Sequence, residues 1–247
     1  MIDRKASVAI IGAGDFIGAA VARRFAAAGY HVHGGRRTVD KLDQLSRDIA
    51  ERGGRFTAHV LDARSEDSIA AFLDAADSDA PLELCVFNVG ANVNFPVLET
   101  TERMFRKVWE MACFAGFLTG REAARRLLAH GRGSIFFTGA TASIRGGSGY
   151  AAFASAKAGL RVMAQSMARE LGPKNIHVAH LVIDAGVDTA WVRDRMTAAL
   201  GAEAVAALPE DTLMHPDSIA EAYWNLHHQS RDAWTHELDL RPFAEKW

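Results

Sequence analysis

Short apolar runs rich in β-branched residues alternate with longer segments of helical period along the whole chain. From these runs we predict seven strands, at residues 8–12, 31–35, 55–61, 82–88, 134–138, 175–183 and 237–240. Helices are predicted between them, at residues 16–28, 39–52, 66–76, 102–129, 150–171 and 216–229. Because crossover helices join parallel strands, the alternation predicts an α/β fold with a doubly wound, mostly parallel seven-stranded sheet and helices on both faces.

Length and charge limit the classes of function. The 247 residues suffice for one domain with a large core, so residues 1–247 are treated as a single domain. A formal net charge of -2 gives no basic excess to attract nucleic acid or an anionic membrane. No apolar run reaches the roughly 20 residues that cross a bilayer, and the first predicted strand starts too near Met1 to leave room for a signal peptide. We expect a cytoplasmic protein with a small-molecule substrate.

The first predicted strand runs into a glycine-rich turn that opens the first predicted helix, Gly12-Ala13-Gly14-Asp15-Phe16-Ile17-Gly18. Backbone N–H groups and the helix dipole at such a turn face a pyrophosphate. Glycine spacing alone is a weak signal, but its place inside a βαβ unit favours a dinucleotide site over a merely tight turn. We predict a single-domain Rossmann fold with these residues at the cofactor: Gly12, Gly14, Asp15, Phe16, Ile17 and Gly18.

Two arginines follow the second predicted strand. A site for NAD(H) would carry an Asp or Glu there to bind the adenosine ribose. The chain instead has Gly34, Gly35, Arg36 and Arg37, with two cations and no carboxylate. Because guanidinium groups pair strongly with a 2′-phosphate, Gly35, Arg36 and Arg37 predict NADP(H) as the cofactor. The alternative is that both arginines are solvated at the start of a helix.

With these residues in place, residues 6 to 240 resemble the short-chain dehydrogenase/reductase family. Asp62-Ala63 fit the family's adenine contact, and Asn88-Val89-Gly90 look like the end of its Asn-Asn-Ala-Gly motif. Lys157 fits the motif lysine that holds the nicotinamide ribose, and Thr189 keeps the place that contacts the carboxamide. The resemblance implies an oxidoreductase with a nicotinamide cofactor.

Three departures from the family pattern concern its chemistry. Phe153 stands where the family has its catalytic tyrosine, Ala140 aligns with its serine, and Cys113 aligns with its asparagine. In the usual mechanism the tyrosine gives a proton to the carbonyl oxygen, the serine orients that oxygen, and the lysine lowers the tyrosine pKa. Phenylalanine has no proton to give. A fourth departure, Phe16 in place of a family glycine, leaves cofactor binding possible.

Other side chains are therefore considered for the proton. Lys157 ranks first, because apolar surroundings depress the pKa of an ammonium group. Thr141 and Ser143 could orient the substrate oxygen after a small shift of their loop. Tyr150 shares the helix face of Lys157, but two helical turns, about 10 Å, separate them. Cys113 has no cation nearby in sequence to activate it and is interpreted as a packing residue.

The substrate-binding residues are predicted from the segment that connects the sixth and seventh predicted strands. Residues 188–209 interrupt it with a segment of helical character, which we predict to be a substrate lid over the carboxyl ends of the strands. Trp191 and Phe95 are expected to form an apolar wall for the substrate. Asp184 lies near the cofactor head in this scheme and is interpreted either as an acid or substrate-binding carboxylate, or as a loop cap.

No metal site is predicted. Cys85 and Cys113 lack CxxC spacing, which argues against a zinc site or a disulfide. His31 and His33 alternate on a strand, no HExxH motif occurs, and the ten histidines are interpreted as solvated or capping side chains.

Three functions remain open. The leading one is an NADP(H)-dependent oxidoreductase on a small alcohol or carbonyl compound, with a non-standard active site. The second is a catalytically silent NADP(H)-binding sensor or assembly subunit. The third is a lyase, isomerase or cyclase that keeps the nucleotide on the same scaffold. The family resemblance further implies a homodimer or homotetramer, paired through the two long helices that start near Glu102 and Tyr150.

Overall fold

The computed structural model describes residues 5–245. The strands in this part of the chain are β1 (Ser7–Ile11), β2 (His31–Arg36), β3 (Arg55–Val60), β4 (Leu82–Phe87), β5 (Gly133–Thr138), β6 (Ile176–Ile183) and β7 (Glu237–Leu240). They form one sheet in the order β3-β2-β1-β4-β5-β6-β7, and every neighbouring pair is parallel. The predicted seven-stranded sheet is confirmed, and the observed strand ends lie within one residue of the predicted ends.

The α-helices in the described residues are α1 (Ile17–Ala27), α2 (Asp43–Glu51), α3 (Glu66–Asp79), α4 (Glu102–Trp109), α5 (Ala115–His130), α6 (Ala151–Leu171), α7 (Ala190–Leu200), α8 (Ala202–Ala206) and α9 (Pro216–His227). Three predicted helices need correction. The helix predicted at 66–76 continues to Asp79 as α3. The predicted helix 39–52 begins as a 3-10 turn, Val39–Leu42, before α2. The predicted helix 102–129 is interrupted by a π turn, Glu110–Phe114, between α4 and α5. π turns inside α-helices occur often at functional sites.

Hydrophobic cores cover both faces of the sheet. Along β1, Val8 and Ile10 pack on one side with residues of α1, α2 and α9. Ala9 and Ile11 pack on the other side with residues of α3, α5 and α6. Alternate residues of a strand point to opposite faces, and both faces of a parallel sheet are normally buried. The doubly wound arrangement follows from helices on the two sides.

The strand order places the ligand cleft. The chain winds outward from β1 through β2 and β3, and then returns to β4 on the other side of β1. In open α/β sheets, ligands bind above the carboxyl ends of the strands at this reversal point. The turn after β1 and the loop after β4 therefore border the expected cleft.

The predicted helical segment 188–209 is present as α7 and α8. Neither helix contains a buried residue. The base of the segment is held by backbone hydrogen bonds, from Asp188 N to Met214 O at 2.9 Å and from Met214 N to Gly186 O at 3.0 Å. A segment with so little buried surface opens at low free-energy cost. Among the described residues, no helix combines the length and apolarity needed to cross a bilayer.

Candidate functional site

Close backbone contacts shape the turn between β1 and α1. Gly12 has a φ of 86°, and a Cβ on Gly18 would lie only 2.6 Å from Gly12 O. Asn88, which follows β4, donates from Nδ2 to Gly12 O at 3.0 Å. A Cβ on Gly14, by contrast, would meet no atom closer than 3.9 Å. The result is an open cradle at the N-terminus of α1, where backbone N–H groups can receive a phosphate.

A cleft runs along the carboxyl edge of the sheet in three sections with volumes of about 380, 480 and 360 Å³. The first and second sections share Gly12, Gly14, Asn88, Val89 and Gly90. The second and third sections share Asn92, Ala140, Phe153, Ile183 and Ala185. The shared linings make the cleft continuous from the loop after β2 to the loop after β5.

The residues that the sequence assigns to a cofactor all line the first two sections. The first section holds Gly12, Gly14, Gly35, Arg36, Arg37, Asp62, Ala63, Asn88, Val89 and Gly90. The second section adds Asp15, Phe16, Ile17, Gly18, Lys157 and Thr189. Residues from six separate loops or helices thus meet along one groove.

Four cations line the first section: Arg36, Arg37, Lys41 and Arg64. The side chain of Arg36 reaches the glycine turn, where its Nη1 donates to Asp15 Oδ1 at 3.0 Å. The sequence analysis missed Lys41 and Arg64. A sequence signal existed for Arg64, which lies two residues after Asp62, but the position of Lys41 depends on the 3-10 turn before α2. The donor set fits a phosphate in addition to the pyrophosphate.

Asp62 is held by the neighbouring arginine. Arg64 donates from Nε to Asp62 Oδ1 at 3.0 Å and from Nη2 to Oδ2 at 2.7 Å. These hydrogen bonds lower the pKa of Asp62 to about 2. The carboxylate is therefore ionised and fixed in direction, with Arg64 beside it at the wall of the first section.

Lys157 lies at the floor of the second section. Its side chain is buried, with 3% of the residue exposed. The Nζ atom donates to Thr138 O at 2.7 Å and to Val89 O at 3.3 Å. Burial lowers the pKa of Lys157 to about 8. Because this value lies near neutral pH, the ammonium can give up and regain a proton under ordinary conditions.

Apolar side chains line the cleft beside this lysine. Phe153 is 6% exposed, and the centre of its ring lies 6.0 Å from Lys157 Nζ. Phe153 and Cys113 belong to one hydrophobic cluster, with Ala140 packed against it. Burial raises the pKa of the Cys113 thiol, and a Cβ on Gly159 would lie 3.0 Å from Cys113 Sγ. Both observations support a packing role for this cysteine.

The three predicted hydroxyl groups have different positions. Thr141 lines the third section. Ser143 is buried, and its Oγ accepts a hydrogen bond from Ala140 N at 3.1 Å, so it holds its own loop. Tyr150 also lines the third section, where its hydroxyl accepts a hydrogen bond from Arg195 at 3.4 Å. Of the three, Thr141 and Tyr150 reach the cleft.

The substrate role predicted for Asp184 needs correction. Its side chain is 0% exposed and accepts two hydrogen bonds from Arg145, at 3.0 and 2.9 Å. Arg241 Nη2 lies 3.2 Å from Asp184 Oδ2. The carboxylate is occupied by two guanidinium groups that sequence spacing did not reveal. Asp184 ties the loop after β5 to the end of β6, and this loop forms the wall of the third section.

We predict a stability loss for Asp184→Asn. Removing one partner of a buried ion pair costs about 3 kcal/mol, since Arg145 then loses its counterion while Arg241 keeps Asp239. For a protein of this size the unfolding temperature should fall by about 6 to 12 °C. Glu102→Gln, which breaks the exposed Glu102–Arg106 pair, is the control and should change little. Equal melting temperatures for the two variants in calorimetry would contradict the structural role of Asp184.

The segment 188–209 contributes to the second section through the start of α7. Thr189 caps this helix, with its Oγ1 accepting a hydrogen bond from Val192 N at 3.1 Å. Trp191 lines the section while 52% exposed. Phe95 does not line any of the three sections, and its N–H donates to Gly149 O at 2.8 Å. The apolar wall predicted from Trp191 and Phe95 is thus present only at Trp191.

Asn92 is a polar residue that the sequence analysis missed. It is exposed and lines both the second and the third section. Its carboxamide can donate to a carbonyl oxygen and accept from a hydroxyl group. The only sequence signal was its place four residues after Asn88.

Comparisons with known proteins agree with the fold. Residues 6–199 match the family model described as short chain dehydrogenase. A crystal structure of a short-chain dehydrogenase from Rhodopseudomonas palustris is 57% identical in sequence, covers 97% of this chain and 100% of its own, and has a TM-score of 0.83. The cis-4-hydroxycyclohexanecarboxylate dehydrogenase of Sinomonas cyclohexanicum is 30% identical over 215 residues, which cover 86% of this chain and 85% of that protein.

A third similar protein carries a nucleotide in its crystal structure. The alcohol dehydrogenase of the archaeon Thermococcus sibiricus, complexed with 5-hydroxy-NADP, is 25% identical to this chain. The alignment covers 98% of both chains with a TM-score of 0.81.

Proposed function

The chain belongs to the short-chain dehydrogenase family, and on this premise we propose that it is an NADP(H)-dependent oxidoreductase acting on a small alcohol or carbonyl compound. Members of this family use nicotinamide cofactors. The observation that carries the proposal is Lys157, a buried ammonium with a lowered pKa at the floor of a cleft whose adjoining sections suit a dinucleotide.

The chain's own residues fit the cofactor. The open cradle at Gly12, Gly14 and Gly18 would receive the pyrophosphate, and Arg36 and Arg37 would bind the 2′-phosphate. Lys157 and Thr189 would contact the nicotinamide half, as the family resemblance implies. When bound, the nicotinamide ring would supply or accept the hydride that interconverts a carbonyl and an alcohol.

The active site we propose is non-standard, because the aligned positions Phe153, Ala140 and Cys113 form an apolar wall. Lys157 holds a proton at Nζ that the carbonyl oxygen takes in reduction and that the alcohol returns in oxidation, directly or through one water. Asn92 and Thr141 orient that oxygen by hydrogen bonds from the third section. The wall keeps further water away from the reacting atoms.

The two arginines give a direct test of cofactor choice. We predict that Arg36→Ser combined with Arg37→Ser raises the Kd for NADPH by about 10- to 100-fold, because charged hydrogen bonds to a phosphate are lost. The Kd for NADH should remain the same. Fluorescence titration of each nucleotide measures both values. Arg47→Ser, at an exposed arginine of α2, is the control. An equal loss for both nucleotides would contradict the assignment.

A second function is favoured by one observation, the same apolar wall around Lys157. A catalytically silent NADP(H)-binding protein would need the first two sections but no proton donor. Nucleotide binding followed by turnover assays on aldehydes, ketones, secondary alcohols and quinones separates the two functions. Turnover of any of these with NADPH or NADP⁺ supports the oxidoreductase. Tight binding without turnover of any substrate supports the silent protein.

We also propose that the chain forms a homodimer or homotetramer. Exposed aromatic side chains lie along α4 and α5: Phe105 is 39% exposed, Trp109 41% and Phe117 42%. Exposed apolar surface of this kind is typical of interfaces between subunits. Sedimentation analysis of the wild-type protein, and of a Trp109→Lys variant, tests this surface.

A further inference from the structure

Two histidines and an aspartate converge at the amino-terminal edge of the sheet, opposite the cleft. His31 begins β2, and His33 lies two residues further on the same face, with the ring centres 4.3 Å apart. Asp79 ends α3. One nitrogen from each imidazole and one oxygen of Asp79 all lie within 4.8 Å of one another.

The two distances from the imidazoles to Asp79 are longer than good hydrogen bonds and close to the spacing of two ligands on one ion. His33 Nε2 lies 3.4 Å from Asp79 Oδ2, and His31 Nδ1 lies 3.7 Å from the same oxygen. Good N–H···O hydrogen bonds are about 2.7 to 3.2 Å long. Neighbouring ligand atoms of a tetrahedral ion with bonds of about 2.0 to 2.1 Å are roughly 3.3 to 3.4 Å apart. His33 Nε2 is buried and has no hydrogen-bond partner among the described residues.

A metal ligand needs a nitrogen lone pair, and the second ring nitrogen of each histidine has a hydrogen-bond partner outside the cluster. His31 Nε2 lies 2.8 Å from Thr57 Oγ1, and His33 Nδ1 lies 3.0 Å from His59 Nε2. If the histidines donate in both contacts, His31 Nδ1 and His33 Nε2 carry lone pairs directed at the cluster. Metal-binding histidines commonly donate their other N–H to such a partner, which fixes the ring orientation.

The burial and the charge of these three side chains also suit a bound metal ion. His33 is fully buried, the His31 side chain is 17% exposed and that of Asp79 is 49% exposed, so a further coordination position opens to solvent. A neutral imidazole is the form that binds a metal. Arg55 is the nearby cation, and Asp79 supplies the compensating negative charge.

We propose that His31 Nδ1, His33 Nε2 and the Asp79 carboxylate bind one Zn²⁺ ion, with water completing the coordination. Two imidazoles and a carboxylate are ordinary zinc ligands. The ion would fasten the end of α3 to the start of β2, away from the cleft, and its role is structural. This proposal revises the sequence-based interpretation of His31 and His33 as solvated or capping side chains.

Metal binding can be measured directly on the full chain. We expect chelator-treated protein to bind one equivalent of Zn²⁺ in competition with a chromophoric chelator, and Co²⁺ to give the visible absorption of a tetrahedral site. At a Zn²⁺ concentration of 100 times Kd, the unfolding temperature should rise by about 5 to 10 °C. No stoichiometric binding by the wild-type protein would overturn the proposal.

Two ligand variants separate this site from adventitious binding by other histidines. Asp79→Asn and His31→Gln should each raise the Kd for Zn²⁺ at least about 100-fold and abolish the Co²⁺ spectrum, since each removes a direct ligand. Asp67→Asn, at the other end of α3, is the control and should keep the wild-type Kd. An unchanged Kd in Asp79→Asn would overturn the proposal. NADPH titration confirms that each variant is folded, because the cleft lies at the opposite edge.

Discussion

Replacing Phe153 with tyrosine is expected to raise the rate of NADPH-dependent carbonyl reduction by about 10²- to 10⁴-fold. This is the usual contribution of a positioned general acid. Phe153 lines both the second and the third section of the cleft, and its ring centre lies 6.0 Å from Lys157 Nζ. A hydroxyl on this ring would enter the cleft between the lysine and the substrate. Lys157 would then lower the tyrosine pKa and help it to ionise.

A control variant must show that the higher reduction rate of Phe153→Tyr depends on the position of the hydroxyl and not on adding a hydroxyl anywhere. Phe243→Tyr makes the same change at a phenylalanine that is 78% exposed, and should leave the rate unchanged. Steady-state rates on a panel of aldehydes and ketones measure the effect. If Phe153→Tyr reduces none of them faster than wild type, a hydroxyl at this position does not act as the general acid, and proton donation by a tyrosine on this face of α6 is excluded.

Replacing Lys157 with methionine is expected to lower kcat at least about 100-fold, because the proton donor is removed. Methionine keeps the length and apolar character of the buried side chain, so the fold should remain intact. Since the same lysine is proposed to bind the nicotinamide half, kcat is measured at saturating NADPH and the Kd for NADPH separately by fluorescence. Lys174→Met, at a lysine whose side chain is 54% exposed, is the control. Full kcat in Lys157→Met would exclude this lysine as the donor.

The pH profile provides a second measurement of the same role. With a pKa of about 8, Lys157 carries its proton below pH 8 and loses it above. Carbonyl reduction by the wild-type protein should therefore decline as pH rises through about 8, whereas alcohol oxidation should increase. A flat reduction profile between pH 7 and pH 9 would argue against proton donation by Lys157.

Stability should respond to pH through the same group. The pKa of Lys157 falls from 10.5 in the unfolded chain to about 8 in the folded protein, because burial disfavours the ammonium. Between these values the unfolded chain binds more protons than the folded one, so the free energy of unfolding should rise with pH from about 8 to 10.5. This rise should be absent from Lys157→Met in urea titrations at the two pH values.

The strands and the cofactor turn were predictable from sequence because their determinants are local. The buried strands β1, β4, β5 and β6 are largely apolar runs, and each observed strand end lies within one residue of the prediction. The turn at Gly12 to Gly18 is encoded by neighbouring residues, with Gly18 packed against Gly12 O. The π turn at Glu110–Phe114 was not predicted, because no short-range signal distinguishes it from a continuous helix.

Polar side chains were harder to place, because their partners are distant in sequence. Asp184 looked like a substrate contact, but Arg145, 39 residues earlier, occupies its carboxylate. Phe95 looked like part of the substrate wall, but it lines none of the three sections of the cleft. Asn92 carried no strong motif, yet it lines two sections of the cleft.

The sequence by itself determined the strands, the glycine cradle and the pair of arginines at the end of β2, since each depends on residues close together in the chain. Only the tertiary structure decided which polar groups face the cleft and which pair with other side chains inside the protein. It buried Lys157 deeply enough to lower its pKa to about 8. It also brought Asp79 to His31 and His33, because parallel strands place residues from separate βα units side by side at one edge of the sheet.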